Sequence, residues 1–214
     1  MIYALSDLES AVVSLCMDFL PSKYSSDISF LFQITFEDRK INKRHDTHLS
    51  VDCTDCRIQQ KDGGFASYKF NGKSALRYEV TLGLLSGGIK WLNGPYPCKD
   101  WPDINIFRDG LLKELELGER VEADDGYVGE SPYVTKVPSA VLAHSSEEAD
   151  AMQKRVQGRH ENVNARLKSF WVLEQVYRHD ATQHGYVFWA VAVLVQLSIK
   201  NGDPLFGVNY KVVF

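Results

Sequence analysis

The spacing of apolar residues predicts a series of short strands between residues 48 and 137. Alternating or β-branched apolar runs predict strands at residues 48–58, 75–85, 88–94 and 133–137, a strand that runs into a turn at 120–128, and a short strand among residues 59–73. Turn signals at Gly63-Gly64 and Asn71-Gly72 flank that short strand, and Ser86-Gly87-Gly88 predicts a hairpin between 75–85 and 88–94. Residues 28–36 stay ambiguous between strand and loop.

Helical spacing, with an apolar residue at every third or fourth position, marks four other segments. They are residues 5–20, 104–115, 147–173 and 185–200. Gly118 and Asn201-Gly202 are typical of the ends of the second and fourth helices. The longest apolar run, residues 188–199, is too short to span a bilayer, and the N-terminus lacks the basic region of a signal peptide. We therefore expect a soluble, intracellular protein without a membrane partner.

The order of these elements predicts the fold class. Antiparallel strands followed by strand–helix alternation are typical of a mixed sheet flanked by helices, an α/β domain with the order of the ribonuclease-H-like fold. We expect this domain to cover residues 48–214, with residues 1–47 as a short helical or irregular N-terminal appendage. In such a sheet, the strand that follows the first crossover helix lies beside the first strand.

Charge is distributed unevenly along the chain, although the formal net charge is only −4. Residues 119–150 contain eight acidic and two basic residues, whereas residues 154–178 contain six basic and two acidic ones. Two solvated surfaces would explain this pattern. An acidic stretch followed by a basic helix also suits a site that binds both metal ions and a polyanion.

Three carboxylates stand where the predicted sheet would bring them together. Asp52 lies in the first strand, Asp124 ends the strand after the first crossover helix, and Glu161 lies in the long helix that follows. Oxygen ligands of this kind suit hard divalent ions such as Mg²⁺, and two such ions can activate a nucleophile and stabilise the leaving oxygen of a phosphodiester. Most acidic residues are solvated surface, so the triad needs further support.

The motifs around these carboxylates resemble those of the DDE superfamily endonucleases, the DDE-type transposases of the Harbinger-like and related insertion-element groups. The chain has V-D-C-T-D-C-R-I at 51–58, A-D-D-G-Y at 123–127 and R-H-E-N-V-N-A-R-L-K at 159–168. The resemblance extends from about residue 48 to the C-terminus. Cys53 departs from it, because the family has glycine after the first aspartate.

The resemblance implies a metal-dependent DNA endonuclease and strand transferase with a catalytic triad of Asp52, Asp124 and Glu161. These residues would bind two Mg²⁺ or Mn²⁺ ions. Asp52 and Asp124 would bridge the two ions, and Glu161 would complete the ligands of the second ion. The family register favours Asp124 over Asp125 as the ligand. The expected partner is DNA at the ends of an element, and the expected location is the nucleus.

The basic residues of the third helix are the candidate phosphate contacts, although a solvated helix face would have the same composition. These DNA-binding candidates are Arg155, Arg159, Arg166 and Lys168, of which Lys168 matches a basic position of the family. Residues 1–47 contain no recognisable helix-turn-helix or zinc finger. The chain would therefore require a homodimer or a separate DNA-binding subunit to read element ends, or it is a truncated or domesticated, catalytically silent relative that binds DNA or protein.

Other polar residues have simpler interpretations. Asp103, just before a helical run, predicts an N-cap more than a metal ligand. Asp55 has the opposite strand parity to Asp52 and should face away from it.

A zinc-stabilised module is the third possible function. Cys53 and Cys56, three apart on a strand, should point to opposite faces, so a site completed by His179 and His184 is disfavoured and buried thiols are expected. His160 repeats on the apolar side of its helix and is expected in the core.

Overall fold

The computed structural model describes residues 34, 47–60, 63–84, 86–131, 133–135 and 146–208. The helix predicted for residues 5–20 lies outside these ranges, as do most of the ambiguous segment 28–36 and most of the N-terminal appendage proposed for residues 1–47.

Five strands form one mixed sheet in the order β3-β2-β1-β4-β5. They are β1 (Thr47–Arg57), β2 (Ala75–Gly83), β3 (Ile89–Pro97), β4 (Arg120–Glu122) and β5 (Val134–Thr135). The pairs β1–β2 and β2–β3 are antiparallel, whereas β4 is parallel to both β1 and β5. The predicted hairpin and the predicted position of β4 beside β1 are therefore confirmed.

Helices cover both faces of the sheet, which makes the domain an α/β fold compatible with a ribonuclease-H-like arrangement. They are α1 (Asp103–Asp109), α2 (Ser146–Lys168), α3 (Trp171–Glu174) and α4 (His184–Lys200). No helix in the described ranges combines the length and apolar character needed to cross a bilayer.

Side-chain alternation along β1 and β2 separates two hydrophobic cores, one on each face. Cys56, Tyr78 and Val80 pack with Val163, Leu167 and the apolar side of α4. Leu49, Val51 and Cys53 pack on the other face with Ile106 and Phe107 of α1 and with Tyr127. The placement of Cys53 and Cys56 on opposite faces is as predicted, and both thiols are buried.

Three elements differ from the predicted ones because local polar or glycine positions interrupt them. The helix predicted for 104–115 ends at Asp109, where Gly110, a poor helix former, packs against Asn93; a 3₁₀ turn, Leu111–Glu114, follows. The helix predicted for 147–173 breaks after Lys168, where the hydroxyl of Ser169 donates to the carbonyl of Arg166.

The short strand predicted among residues 59–73 is wrong. This connection forms two 3₁₀ turns, Gly63–Phe65 and Tyr68–Phe70, and an isolated β-bridge pairs Ala66 with Ser74. Residues 120–128 form a strand that runs into a turn, as predicted: β4 ends at Glu122, and Asp124 caps the 3₁₀ turn Asp125–Tyr127.

Candidate functional site

The parallel pairing of β1 and β4 places Asp52 and Asp124 at the same end of the sheet. Ser50 of β1 is paired with Glu122, the last residue of β4, and each aspartate lies two residues further along its chain. Asp124 is held by its own turn, since its Oδ1 accepts from the backbone N–H of Gly126 at 2.8 Å. The two carboxylates therefore flank the point where β4 ends and β1 continues.

Helix α2 brings Glu161 to the same place. His160 anchors the helix on β1, with its Nε2 2.9 Å from the hydroxyl of Ser50, and Val163 and Leu167 are buried beneath it. Glu161 is exposed and lines a pocket of about 180 Å³ together with Asp52 and Asp124. The structure thus brings the three predicted carboxylates to one pocket, while their roles stay predictions.

Asp52 is the half-buried carboxylate of the three, and two donors orient it. Its Oδ1 accepts from the backbone N–H of Cys53 at 2.7 Å, and its Oδ2 lies 3.4 Å from the amide nitrogen of Asn164. Burial raises the pKa of Asp52 to about 6, while the positive charge of Lys69 opposes that rise. The negative charges of Asp124 and Asp103 add to it. A cation placed in this pocket would relieve that repulsion.

Asp103 does not cap α1, and the predicted N-cap role is wrong. Pro102 is the N-cap residue and Asp103 is the first residue of the helix. Its Oδ1 instead accepts from Nη1 of Arg77 at 2.6 Å, and the same guanidinium donates to both carboxylate oxygens of the buried Asp55. Asp55 accordingly faces away from Asp52, as predicted, and the pairing lowers its pKa against the effect of burial.

One of the four predicted phosphate contacts is wrong. Arg159 is only 2% exposed, and its guanidinium donates to the carbonyl of Leu84 inside the protein. A residue enclosed in this way cannot contact a DNA backbone. Arg155 is exposed and donates to the carbonyl of Gly207, and Arg166 donates to Asp203. Lys168 is half-buried near the C-terminal end of α2.

The cysteine and histidine residues of the zinc hypothesis lie in different environments. The thiol of Cys53 lies 3.3 Å from the hydroxyl of Tyr127, on the α1 face. On the other face, Nδ1 of the buried His184 lies 2.6 Å from the hydroxyl of Tyr78, whereas His179 is exposed. This separation removes the geometric basis of a shared zinc site. His160 is a packed histidine, as predicted, although it also lines the pocket.

Two polar residues near the pocket were not predicted. Glu122 is buried and lines the pocket. Residues two apart on a strand point to the same face, so the sequence could have indicated that Glu122 lies on the same side as Asp124. Lys69 donates to the carbonyl of Cys53 at 3.1 Å from a loop that only the fold brings back to β1. No sequence spacing would have found it.

The chemistry of the donor set fits a hard divalent cation, because the pocket is lined by carboxylates and by no thiol, and its imidazole, that of His160, already bonds the hydroxyl of Ser50. In the part of the chain that the structure describes, no three acidic, histidine or cysteine side chains already stand close enough to hold an ion. Glu161 is exposed on its helix, so a change of its rotamer is the adjustment available to the site.

Comparisons with known proteins add no assignment. No family model matches the chain, and neither a curated protein nor a solved structure is significantly similar to it.

Proposed function

We propose that this chain cuts DNA strands with divalent metal ions held by Asp52, Asp124 and Glu161, as the DDE-type transposases do whose motifs it resembles. The observation that supports this proposal is the meeting of the three carboxylates at one pocket. They are separated by 72 and 37 positions in the sequence and belong to three different elements. Unrelated surface carboxylates would have no reason to converge on the end of two adjacent parallel strands.

Each residue has a distinct task in this proposal. Asp52 and Asp124 hold the cations from positions fixed by the backbone N–H groups of Cys53 and Gly126. Glu161 completes the ligand set from α2. Bound Mg²⁺ or Mn²⁺ would supply Lewis-acid stabilisation of the attacking and leaving oxygens of the phosphodiester. The proposed substrate is DNA, and the proposed location is the nucleus, as the resemblance implies.

Nicking of a supercoiled plasmid in Mg²⁺ or Mn²⁺ tests the proposal directly. We expect the wild type to nick, and Asp52→Asn and Glu161→Gln to lose roughly 100-fold or more, the scale on which single electrostatic groups matter in catalysis. Glu174→Gln is the matched control, because Glu174 is exposed on α3 and lies outside the pocket.

Two outcomes would count against the enzyme. Equal nicking by wild type and Glu161→Gln would identify a contaminating nuclease. Binding of duplex DNA by a folded wild type that nicks with neither metal would favour the silent, domesticated relative, which acts as a binding subunit.

A further inference from the structure

Most of the basic residues predicted to contact DNA already bind other parts of the protein. Arg159 is enclosed, Arg155 bonds the carbonyl of Gly207, and Arg166 pairs with Asp203. Lys168 lies two turns of α2 beyond Glu161. A positive side chain beside these carboxylates would add to the charge of the bound cations in holding a phosphodiester, because both the phosphate and the carboxylates are negative. The predicted basic helix does not place one there.

Lys69 is the positive side chain that the fold carries to this position. It lies in the 3₁₀ turn Tyr68–Phe70, which the β1–β2 connection folds back against β1. The turn is pinned at Ser67, whose hydroxyl donates to Oδ2 of Asp55 at 2.6 Å and whose carbonyl accepts from the N–H of Gly72. Asn71 (φ 54°) and Gly72 (φ 78°) close it with left-handed backbone conformations.

The ammonium of Lys69 is bonded to the strand segment that carries Asp52. Its Nζ donates to the carbonyl of Cys53, the residue whose N–H holds Asp52. It interacts electrostatically with Asp55, Asp52 and Asp103. Asp55 and Asp103 already share the guanidinium of Arg77, so Asp52 is the carboxylate that depends most on Lys69. The side chain is otherwise exposed, and its hydrogen bond to a neutral carbonyl can be exchanged for one to a phosphate oxygen.

We infer that Lys69 binds the phosphodiester at the pocket of Asp52, Asp124 and Glu161. When no DNA is bound, its positive charge opposes the binding of divalent cations beside Asp52. This inference rests on the proposed function. It predicts two opposite effects when the charge is removed. DNA should bind less well because a phosphate contact is lost, whereas metal should bind better because a neighbouring positive charge is gone.

The test compares Lys69→Gln with Lys73→Gln, a second exposed lysine of the same connection. For Lys69→Gln we expect a roughly tenfold higher KM for plasmid DNA and a salt dependence of duplex binding that is shallower by about 0.9. Mn²⁺ titrated without DNA should bind roughly fivefold more tightly. Lys73→Gln should match the wild type in all three measurements, and Lys69→Arg should restore KM.

Opposite signs for metal and DNA separate this role from a structural one. Weaker binding of both Mn²⁺ and DNA by Lys69→Gln would show that Lys69 only holds the loop, and the inference would be overturned. If the wild type nicks and Lys69→Gln behaves like Lys73→Gln, the inference fails while the proposed function stands. If the wild type neither binds Mn²⁺ nor nicks DNA, the proposed function is wrong, and the inference that rests on it is wrong as well.

Discussion

The two faces of the sheet bury different chemistry. Under α2 and α4 the core consists of packed apolar groups, with Tyr78 stacked on Phe188 at 3.7 Å between ring centroids. Its buried imidazoles, those of His160 and His184, are kept uncharged, since burial lowers their pKa values to about 3 and about 4. Its buried guanidinium, that of Arg159, bonds the main-chain carbonyl of Leu84. The face under α1 instead encloses the ion pairs of Arg77 and the carboxyl of Glu79.

This difference shows that one sheet is stabilised in two ways. The face under α2 and α4 depends mainly on the volume and contact of its side chains, and loss of a few atoms leaves a cavity. The α1 face depends on the completeness of its charge pairing, because an unpaired charge in a low dielectric is costly. The two faces should consequently respond differently to the removal of one charge and to pH.

The largest expected effect follows from removing the shared cation of the α1 face. Arg77→Met leaves Asp55 and Asp103 without their guanidinium, and we expect a loss of roughly 3–5 kcal/mol in the free energy of unfolding. Urea denaturation at neutral pH measures it. Arg166→Met is the matched control, because its pair with Asp203 lies at the surface and should contribute no more than about 1 kcal/mol.

A second substitution sharpens that test. Asp55→Asn introduced together with Arg77→Met should recover part of the loss, because it removes one of the two unpaired carboxylates. Similar losses for Arg77→Met and Arg166→Met would show that the α1 face does not depend on its ion pairs.

Glu79 should make the α1 face sensitive to alkaline pH. Its side chain is fully buried, and burial raises its pKa from 4.5 to about 8. The folded protein therefore retains a proton that the unfolded chain releases, so the contribution of Glu79 to stability is greatest below pH 4.5 and is lost as pH rises to about 8. The shift corresponds to roughly 5 kcal/mol.

Glu79→Gln should abolish this contribution. The measurement is the free energy of unfolding at pH 5 and pH 8 for both proteins. The fall between the two pH values should be several kcal/mol greater for the wild type, on the scale given by the pKa shift. Parallel pH profiles would mean that Glu79 is solvated in the folded state.

His184 should make the opposite face sensitive to acid. Its pKa is lowered by burial from 6.5 to about 4, so between these values the unfolded chain binds a proton that the folded protein excludes. The stability that His184 contributes is fully present above pH 6.5. Roughly 3 kcal/mol of it is lost as pH falls to about 4.

His184→Gln keeps a hydrogen-bonding partner for Tyr78 and removes the titration. Its free energy of unfolding should therefore fall less than that of the wild type between pH 7 and pH 4. His160 is unchanged in both proteins, so its contribution cancels in the comparison. An equal fall in both would contradict the assignment to His184.

The sequence predicted those parts of the fold whose signal is local. Alternation along β1 and the turn at Ser86-Gly87-Gly88 located the first strands, and the apolar helix α4 begins and ends within a residue of its predicted bounds. Arg159 was misplaced although its signal was local too. It follows Val156 by three residues and precedes Val163 by four, a spacing that puts it on the buried side of α2. The prediction of a surface position followed its charge instead of this spacing.

Other features depended on contacts between distant residues. Asp103 stands where an N-cap is expected, and nothing nearby reveals that Arg77, 26 positions earlier, would bind it. The approach of Lys69 to Cys53 likewise requires the folded path of the β1–β2 connection. The three carboxylates could be predicted to meet because the order of a mixed sheet places parallel strands side by side.

The early end of β4 has a consequence for self-association. Beyond Ser50, β1 continues past its parallel neighbour, and such a stretch of main chain is a template onto which a strand of another molecule can be added. At Cys53 the N–H is taken by the carboxylate of Asp52 and the carbonyl by the ammonium of Lys69. The same two side chains thus block the first hydrogen bonds of an intermolecular sheet. The part of β1 beyond β4 is therefore protected from aggregation by a carboxylate that would hold metal and an ammonium that would bind phosphate.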